Sequence, residues 1–450
     1  MDRGRPAAAR RAGNRDTHRT TGDCMKRSDP IAVVGAGPAG LCAADTLAQL
    51  GYANVTVFEA NERVGGKVCS VPTPAGIVEM GAVLASSECD LVLGLARRFD
   101  IPYAAYPVPQ HYLDEHGRRH DAAGFLASRY DAATIARAIA AYADALARCA
   151  ALNDSDLASI DGDLQLPFER YAALHGFAPV AELARGALVG FGYGYYDTVP
   201  ACYYMKLIGW LLRPDGQGGL RPGEFFMFPQ GFQGLWEALA RELDVRLGTP
   251  VTALRRAADG GVRITAGGVE QAYAAAIVAA PLHTAGSFVA LSDAERALFG
   301  QLRSHRYVVS AFAASGLATG EFLFLHENEV AARCGHMNAW ANRNPALPMY
   351  LGWQLAPRGA SAQALTALLA DDIARQGGRL ERVALRQEWD YFPHVDGAAL
   401  GQRFFERIAA LQGDGQVWYV GGALHFETVE HSARQARALV RRAFDRAAHA

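Results

Sequence analysis

The sequence predicts an α/β protein: a parallel-sheet nucleotide-binding domain assembled from separated stretches of chain, with an inserted α+β domain. Three observations predict it. A short β-branched and small-residue run, Ile31 to Val34, leads directly into Gly35-x-Gly37-x-x-Gly40 and an apolar helical stretch. A second apolar run, Val55-Thr56-Val57-Phe58, ends at the acid Glu59. Near the C-terminus a strand-like Val417-Trp418-Tyr419-Val420 runs into a glycine turn, Gly421-Gly422-Ala423, and then a helical segment.

The totals bound the answer. The chain has 450 residues, enough for two or three domain-sized cores. Half of it is apolar, one fifth is charged, and the formal net charge is −2, so no electrostatic argument favours a nucleic-acid partner. No apolar run approaches the roughly 20 residues of a membrane-spanning helix. The seven cysteines are scattered without a C-x-x-C pair, which predicts buried thiols in a reducing compartment and a cytoplasmic setting.

Residues 1–29 read as a disordered leader, with seven arginines, no large aliphatic side chain and no apolar h-region. Asp2, Asp16 and Asp23 argue against a transit peptide, and Met25-Lys26-Arg27-Ser28 makes a natural start just before the first strand.

The first strand is expected to be buried in a parallel sheet. Gly35 permits the tight turn, Gly37 lets the backbone approach a pyrophosphate beside Pro38 and Ala39, and Gly40 lets the helix pack on the strand. Glu59, 59 − 40 = 19 residues on, stands where a ribose-binding acid is expected, with Ala60 after it. The arrangement is Rossmann-like, and the acid disfavours NADP. Arg63-Val64-Gly65-Gly66-Lys67 follows; paired glycines let main chain pass close to a cofactor, and Arg63 and Lys67 are expected to face its pyrophosphate.

This segment resembles the R-x-G-G-R/K stretch of the flavin amine oxidase superfamily. Glu79-Met80-Gly81-Ala82 and the Val417–Ala423 turn are similar to that superfamily's other cofactor motifs. The resemblance implies non-covalent FAD in a glutathione-reductase/amine-oxidase type domain. Gly81 and Ala82 would run beside the isoalloxazine ring, and Val251 beside the adenine. Gly421, Gly422, Thr428 and Val429 would bring a helix N-terminus to the flavin, where it favours negative charge. The superfamily usually has an acid where Gly422 stands; Glu427 is the candidate replacement, or else caps the helix. No second intact G-x-G-x-x-G follows, since Gly190-Phe191-Gly192-Tyr193-Gly194 has the wrong flanks. A nicotinamide reductant is therefore not expected.

Further blocks look like the bacterial polyunsaturated fatty acid double-bond isomerases: Leu166-Pro167-Phe168, Phe191 to Gly194 with Asp197-x-Val199-Pro200-Ala201, Val78 to Ala82, and Trp389-x-Tyr391-Phe392-Pro393-His394-Val395. Phe426-Glu427-Thr428-Val429-Glu430 is also similar to fungal FAD dehydrogenases of the cyclopiazonate type. These resemblances imply hydride abstraction by FAD from a C–H bond of a hydrophobic small molecule, an unsaturated fatty acid or polyketide-like compound, giving a shifted or a new double bond. One rival is an amine oxidase acting on a C–N bond with oxygen as acceptor. Another is a non-catalytic lipid- or prenyl-binding escort of the same fold.

Catalytic groups are less defined. Lys206 is either a flavin-proximal lysine or a packed one. Trp389 and Tyr391 form an aromatic wall or a core. His425 tunes the ring, donates a proton, or makes a structural hydrogen bond. Aromatics from Phe191 to Phe228 line a tunnel or fill a core, and no arginine is singled out to hold a carboxylate. His394, His425 and His431 lack metal-ligand spacing, so no metal is expected. The expected FAD domain comprises residues 30–105, 231–282 and 385–450, and the substrate domain 106–230 and 283–384.

Overall fold

The computed structural model describes residues 25–74, 76–106, 108–154, 160, 162–344 and 349–445. Of the expected leader, residues 1–24 lie outside the described residues.

A five-stranded parallel sheet runs in the order Asp244–Arg246, Val55–Phe58, Ile31–Val34, Ala275–Val278, Val417–Tyr419. Its strands come from three distant parts of the chain. Ile31 pairs with both Val55 and Ala275, and Ile31, Ala32 and Val33 are fully buried, as central strands of a sheet covered on both faces must be. Helix Pro38–Gln49 leaves the first strand and packs on helix Val429–Phe444. Its Ala39, Gly40, Ala43 and Ala44 are small, which permits the close approach. Pro38 opens the helix, where its missing N–H costs nothing.

The second sheet has seven strands, in the order Arg379–His394, Arg303–Ser315, Met349–Ala356, Met337–Ala341, Phe322–Leu325, Gln110–Leu113, Arg119–His120. Strand alternation sorts its residues onto two faces. Tyr307, Val309, Leu351, Trp353, Ala339 and Ala341 join the main core, whereas Phe312, Tyr350 and Trp340 pack beneath helix Ala362–Arg375 in a smaller one. The expected boundary at residue 385 falls inside the strand Arg379–His394, which pairs with Arg303–Ser315 on both sides of that position. One continuous strand therefore serves both halves of the molecule. Phe191 to Gly194 follows helix Ala178–Gly190 rather than opening a helix. Cys42, Cys69, Cys89, Cys149 and Cys202 are buried and unpaired, and Cys334 is half-buried.

Candidate active site

A cavity of about 790 Å³ lies between the two sheets. At one end the glycine turn forms a grip. A Cβ on Gly40 would fall 1.9 Å from the Gly35 carbonyl oxygen, so only glycine lets the helix sit this close to the strand. Gly37 and Gly66 face each other across the cavity edge: a Cβ on Gly66 would lie 3.1 Å from the Gly37 Cα. The paired main chains form a narrow cradle suited to a pyrophosphate. The Glu59 carboxylate is held at the end of its strand by the Ala36 amide at 2.8 Å and the Asn61 amide at 2.9 Å.

Arg63 departs from expectation. Its guanidinium donates to the carbonyls of Val64, Val68 and Gly66, at 3.2, 3.0 and 2.8 Å. It therefore braces its own loop from within. Lys67 forms an ion pair with Glu427, tying the loop to the C-terminal turn. Burial raises the Glu427 carboxyl above its ordinary range, and the Lys67 charge opposes that shift.

The C-terminal turn closes the same cavity. Thr428 caps helix Val429–Phe444 by accepting the His431 amide at 3.0 Å. Glu430, the second residue of that helix, accepts the amides of Leu91 and Val92 at 3.0 and 2.9 Å and so caps helix Asp90–Arg98.

The other end of the cavity is aromatic. Trp389 donates its indole N–H to the Met80 carbonyl at 2.7 Å, fixing the segment that carries Gly81 and Ala82. The Tyr391 ring stacks on Tyr307 with centroids 5.2 Å apart and lies 5.7 Å from Tyr193. A Cβ on Gly192 would come within 2.9 Å of both Tyr307 and Tyr391, so that glycine lets the rings close in. Phe191, Trp210, Phe225 and Trp353 complete this wall. Of the lining carboxylates, Glu59 and Glu430 accept backbone amides, Asp390 meets His283 and Ser304, and Glu427 pairs with Lys67 through Oε1 while its buried Oε2 has no hydrogen-bond partner among the described residues. Glu427 adjoins the aromatic wall: its backbone carbonyl accepts from the Tyr391 hydroxyl at 3.5 Å, and the Lys67 ammonium lies 5.3 Å from the centre of the Tyr391 ring.

Gly35, Gly37, Pro38, Ala39, Glu59, Ala60, Arg63, Gly66, Lys67, Gly81, Ala82, Val251, Gly421, Gly422, Thr428 and Val429 all line the cavity, as do Trp389 and Tyr391. Gly40 and Gly65 stand behind the lining. Lys206 and His425 are also outside it. Lys206 is buried and donates to the His425 carbonyl at 2.9 Å; burial lowers its ammonium to about 8. His425 Nε2 donates to the Asp154 carbonyl at 2.7 Å, and burial lowers the ring to about 3, so it is neutral. Tyr307, Trp353 and Gln387 were not foreseen; they reach the cavity only through strand pairing. Beneath helix Ala362–Arg375, His336, Asp371 and Asp372 bring potential ligand atoms within 4.8 Å, but Asp372 already accepts from Met337 and His336.

Comparison with known proteins agrees with this architecture. The family described as flavin containing amine oxidoreductase matches residues 38–374. Putrescine oxidase of Kocuria rosea is 36% identical over 108 residues, 24% of this chain and 22% of that protein. The match thus spans about a fifth of that relative's length. Polyenoic fatty acid isomerase of Ptilota filicina is 58% identical over 43 residues, 10% of this chain and 9% of that one. The crystal structure of a CLA-producing fatty acid isomerase from P. acnes superposes with a TM-score of 0.82 at 24% identity, covering 93% of this chain and 100% of that one. Putrescine oxidase bound to putrescine superposes with a TM-score of 0.70 at 16% identity, covering 93% and 99%. At these identities the superpositions speak for the fold alone. Among the described residues no helix is long and apolar enough to cross a membrane.

Proposed function

The chain belongs to the flavin containing amine oxidoreductase family and is an FAD-dependent oxidoreductase; from that premise we propose that it removes a hydride from a C–H bond of a hydrophobic small molecule. The product carries a shifted or a new double bond. The observation that carries this reading is the aromatic wall of Phe191, Tyr193, Tyr307, Trp353 and Tyr391, whose own side chains carry neither a carboxylate nor an amine and which adjoins the cofactor grip, with the Lys67–Glu427 pair at its edge. An uncharged C–H donor needs apolar surroundings and exclusion of water, not a proton acceptor. A protonated amine would need a carboxylate or a cage on this wall to offset its desolvation.

The residues present fit FAD. Gly37 and Gly66, whose main chains meet without side chains, would hold the pyrophosphate. Glu59 would hold a ribose hydroxyl. The N-terminus of helix Val429–Phe444 would supply a positive dipole end that favours negative charge on the cofactor. FAD, when bound, supplies the acceptor for the hydride. Trp389 holds Met80 and hence the Gly81-Ala82 main chain that the ring would lie against. Tyr391, Tyr193 and Tyr307 keep water from the reacting carbon. Lys206 and His425 are structural in this reading. The grip, with residues 30–105, 231–282 and 385–450, forms the cofactor domain, and the rest binds substrate.

The test is anaerobic mixing of the yellow holoenzyme with polyunsaturated fatty acids, polyamines and aromatic amines, following the flavin band. Conjugated-diene formation with the flavin oxidised at the end supports double-bond migration. Lasting bleaching by an unsaturated acid supports dehydrogenation. Bleaching by amines alone would overturn the proposal in favour of C–N oxidation.

A further inference from the structure

Arg343 sits two residues beyond the strand Met337–Ala341, with two buried guanidinium nitrogens, Nε and Nη2, that have no hydrogen-bond partner among the described residues. Beside it the Tyr106 hydroxyl is also buried and has no hydrogen bond at full bonding distance among the described residues, although Arg343 approaches it closely enough to favour its ionised form. The guanidinium carbon lies 5.5 Å from the centre of the Tyr106 ring. Two adjacent sets of unmet donors are costly to bury, and a buried guanidinium that forms no ion pair among the described residues is more so. An anion would satisfy both.

The position relates this pair to the cavity. On the strand Met337–Ala341, Ala339 and Ala341 belong to the main core with Trp353, while Trp340 belongs to the smaller core on the opposite face. Alternation carries that main-core face on to residue 343. Ala341 pairs with Leu351 on the next strand and with Phe322 on the other side, and the Phe322 ring stacks on Trp353 of the cavity wall. On the opposite flank the Tyr106 amide donates to the carbonyl of Phe225, whose side chain lines the cavity. Arg343 and Tyr106 are not part of the cavity lining; they stand behind it, next to Phe225 and along the strand whose neighbours carry Phe322 and Trp353. Three strand spacings, roughly 14 Å, separate the strand before Arg343 from the one that carries Tyr391, and the register sets Ala341 across from Leu385, a further six residues, roughly 20 Å, along that strand from Tyr391.

Building on the proposed hydride abstraction from a hydrophobic chain, we propose that Arg343 and the Tyr106 hydroxyl bind the carboxylate of an acyl substrate whose hydrocarbon lies along the aromatic wall. The guanidinium offers parallel N–H donors in the geometry a carboxylate accepts, and the phenol adds a third. Burial raises the Tyr106 phenol above its ordinary value, so it remains a protonated donor. Arg118, Arg119 and Arg213 are already committed, to Asp114, Glu321 and Glu88 respectively. A head group held at a fixed distance from Tyr391 also selects which carbon is presented to the cofactor. Arg343 and Tyr106 are then specificity determinants.

The test uses holoenzyme and two unreactive probes, palmitate and 1-hexadecanol, with binding read from the flavin band and from tryptophan fluorescence. Arg343→Met is expected to weaken palmitate on the order of 10- to 100-fold. It should leave 1-hexadecanol within about 3-fold and the flavin spectrum unchanged; the retained alcohol affinity also shows that the variant is folded. Arg343→Lys should keep part of the palmitate preference, and Tyr106→Phe should lose a smaller part. If Arg343→Met weakens both probes alike, or neither, the anchor is wrong while the apolar-cavity reading stands. If the unaltered enzyme binds neither probe, both fall.

Discussion

Glu427 fills the space beside Gly422: a Cβ on Gly422 would lie 3.0 Å from both the Cα and the Cβ of Glu427. The two positions therefore exclude a second side chain in the turn. Gly422→Asp should cost about 1–3 kcal/mol by overpacking and reduce bound flavin. Glu427→Gly in the same chain should recover part of the loss. Thermal melts, together with the flavin-to-protein absorbance ratio, check both.

Trp389→Phe keeps the aromatic surface and removes the hydrogen bond to the Met80 carbonyl. The expected cost is about 1 kcal/mol. Because Met80 precedes Gly81 and Ala82, the loss should appear as roughly five-fold weaker FAD binding when apoprotein is titrated with the cofactor.

Lys206 gives a pH signature. Burial lowers its pKa from 10.5 to about 8. Between those values the unfolded chain binds more protons than the folded one, so the contribution to stability rises with pH across that window. The stability of the unaltered protein relative to Lys206→Met should grow by about 3 kcal/mol from pH 7.5 to pH 10.5, measured by urea unfolding at each pH. Substrate-driven bleaching of the flavin should survive the substitution. Its abolition in a folded, yellow variant would make Lys206 a catalytic group.

Glu182 governs part of the acid limb. Burial alone would raise its carboxyl, but hydrogen bonds from His326, Tyr130 and Arg129 outweigh that and hold it at about 2. A depressed carboxyl stabilises the fold above its unfolded value of about 4.5 and loses that contribution as pH falls toward 2. Glu182→Gln should flatten the decline in melting temperature over that window and lower stability at pH 7.

The grip was legible in the sequence because its parts are local: the strand at Ile31, three spaced glycines, a helix and an acid follow one another with periods that reveal themselves. The Val417–Ala423 turn was legible for the same reason. Tyr307, Trp353 and Arg343 were not. Each reaches its place through pairing between strands far apart in the chain, and a run such as Arg303–Ser315 does not declare which face meets a cavity. The role of Arg63 was hidden too: three carbonyls of its own loop compete for the guanidinium, and their direction depends on how Gly65 and Gly66 turn. That the boundary expected at 385 falls inside the strand Arg379–His394 was hidden as well, because a change of neighbours along one strand leaves no break in its sequence.

The parallel sheet sets a schedule for synthesis. Its first strand, Ile31–Val34, emerges early from the ribosome, yet one neighbour arrives with Ala275–Val278, and the outer strand Val417–Tyr419 later still. Until then the nascent chain carries an apolar strand with unmet edges, the condition that invites wrong pairing and chaperone capture. The grip at Gly35–Gly40 cannot meet helix Val429–Phe444 until synthesis has passed that helix. Cofactor capture is therefore a late event, and a chain released before residue 417 would be left without the closing strand and colourless.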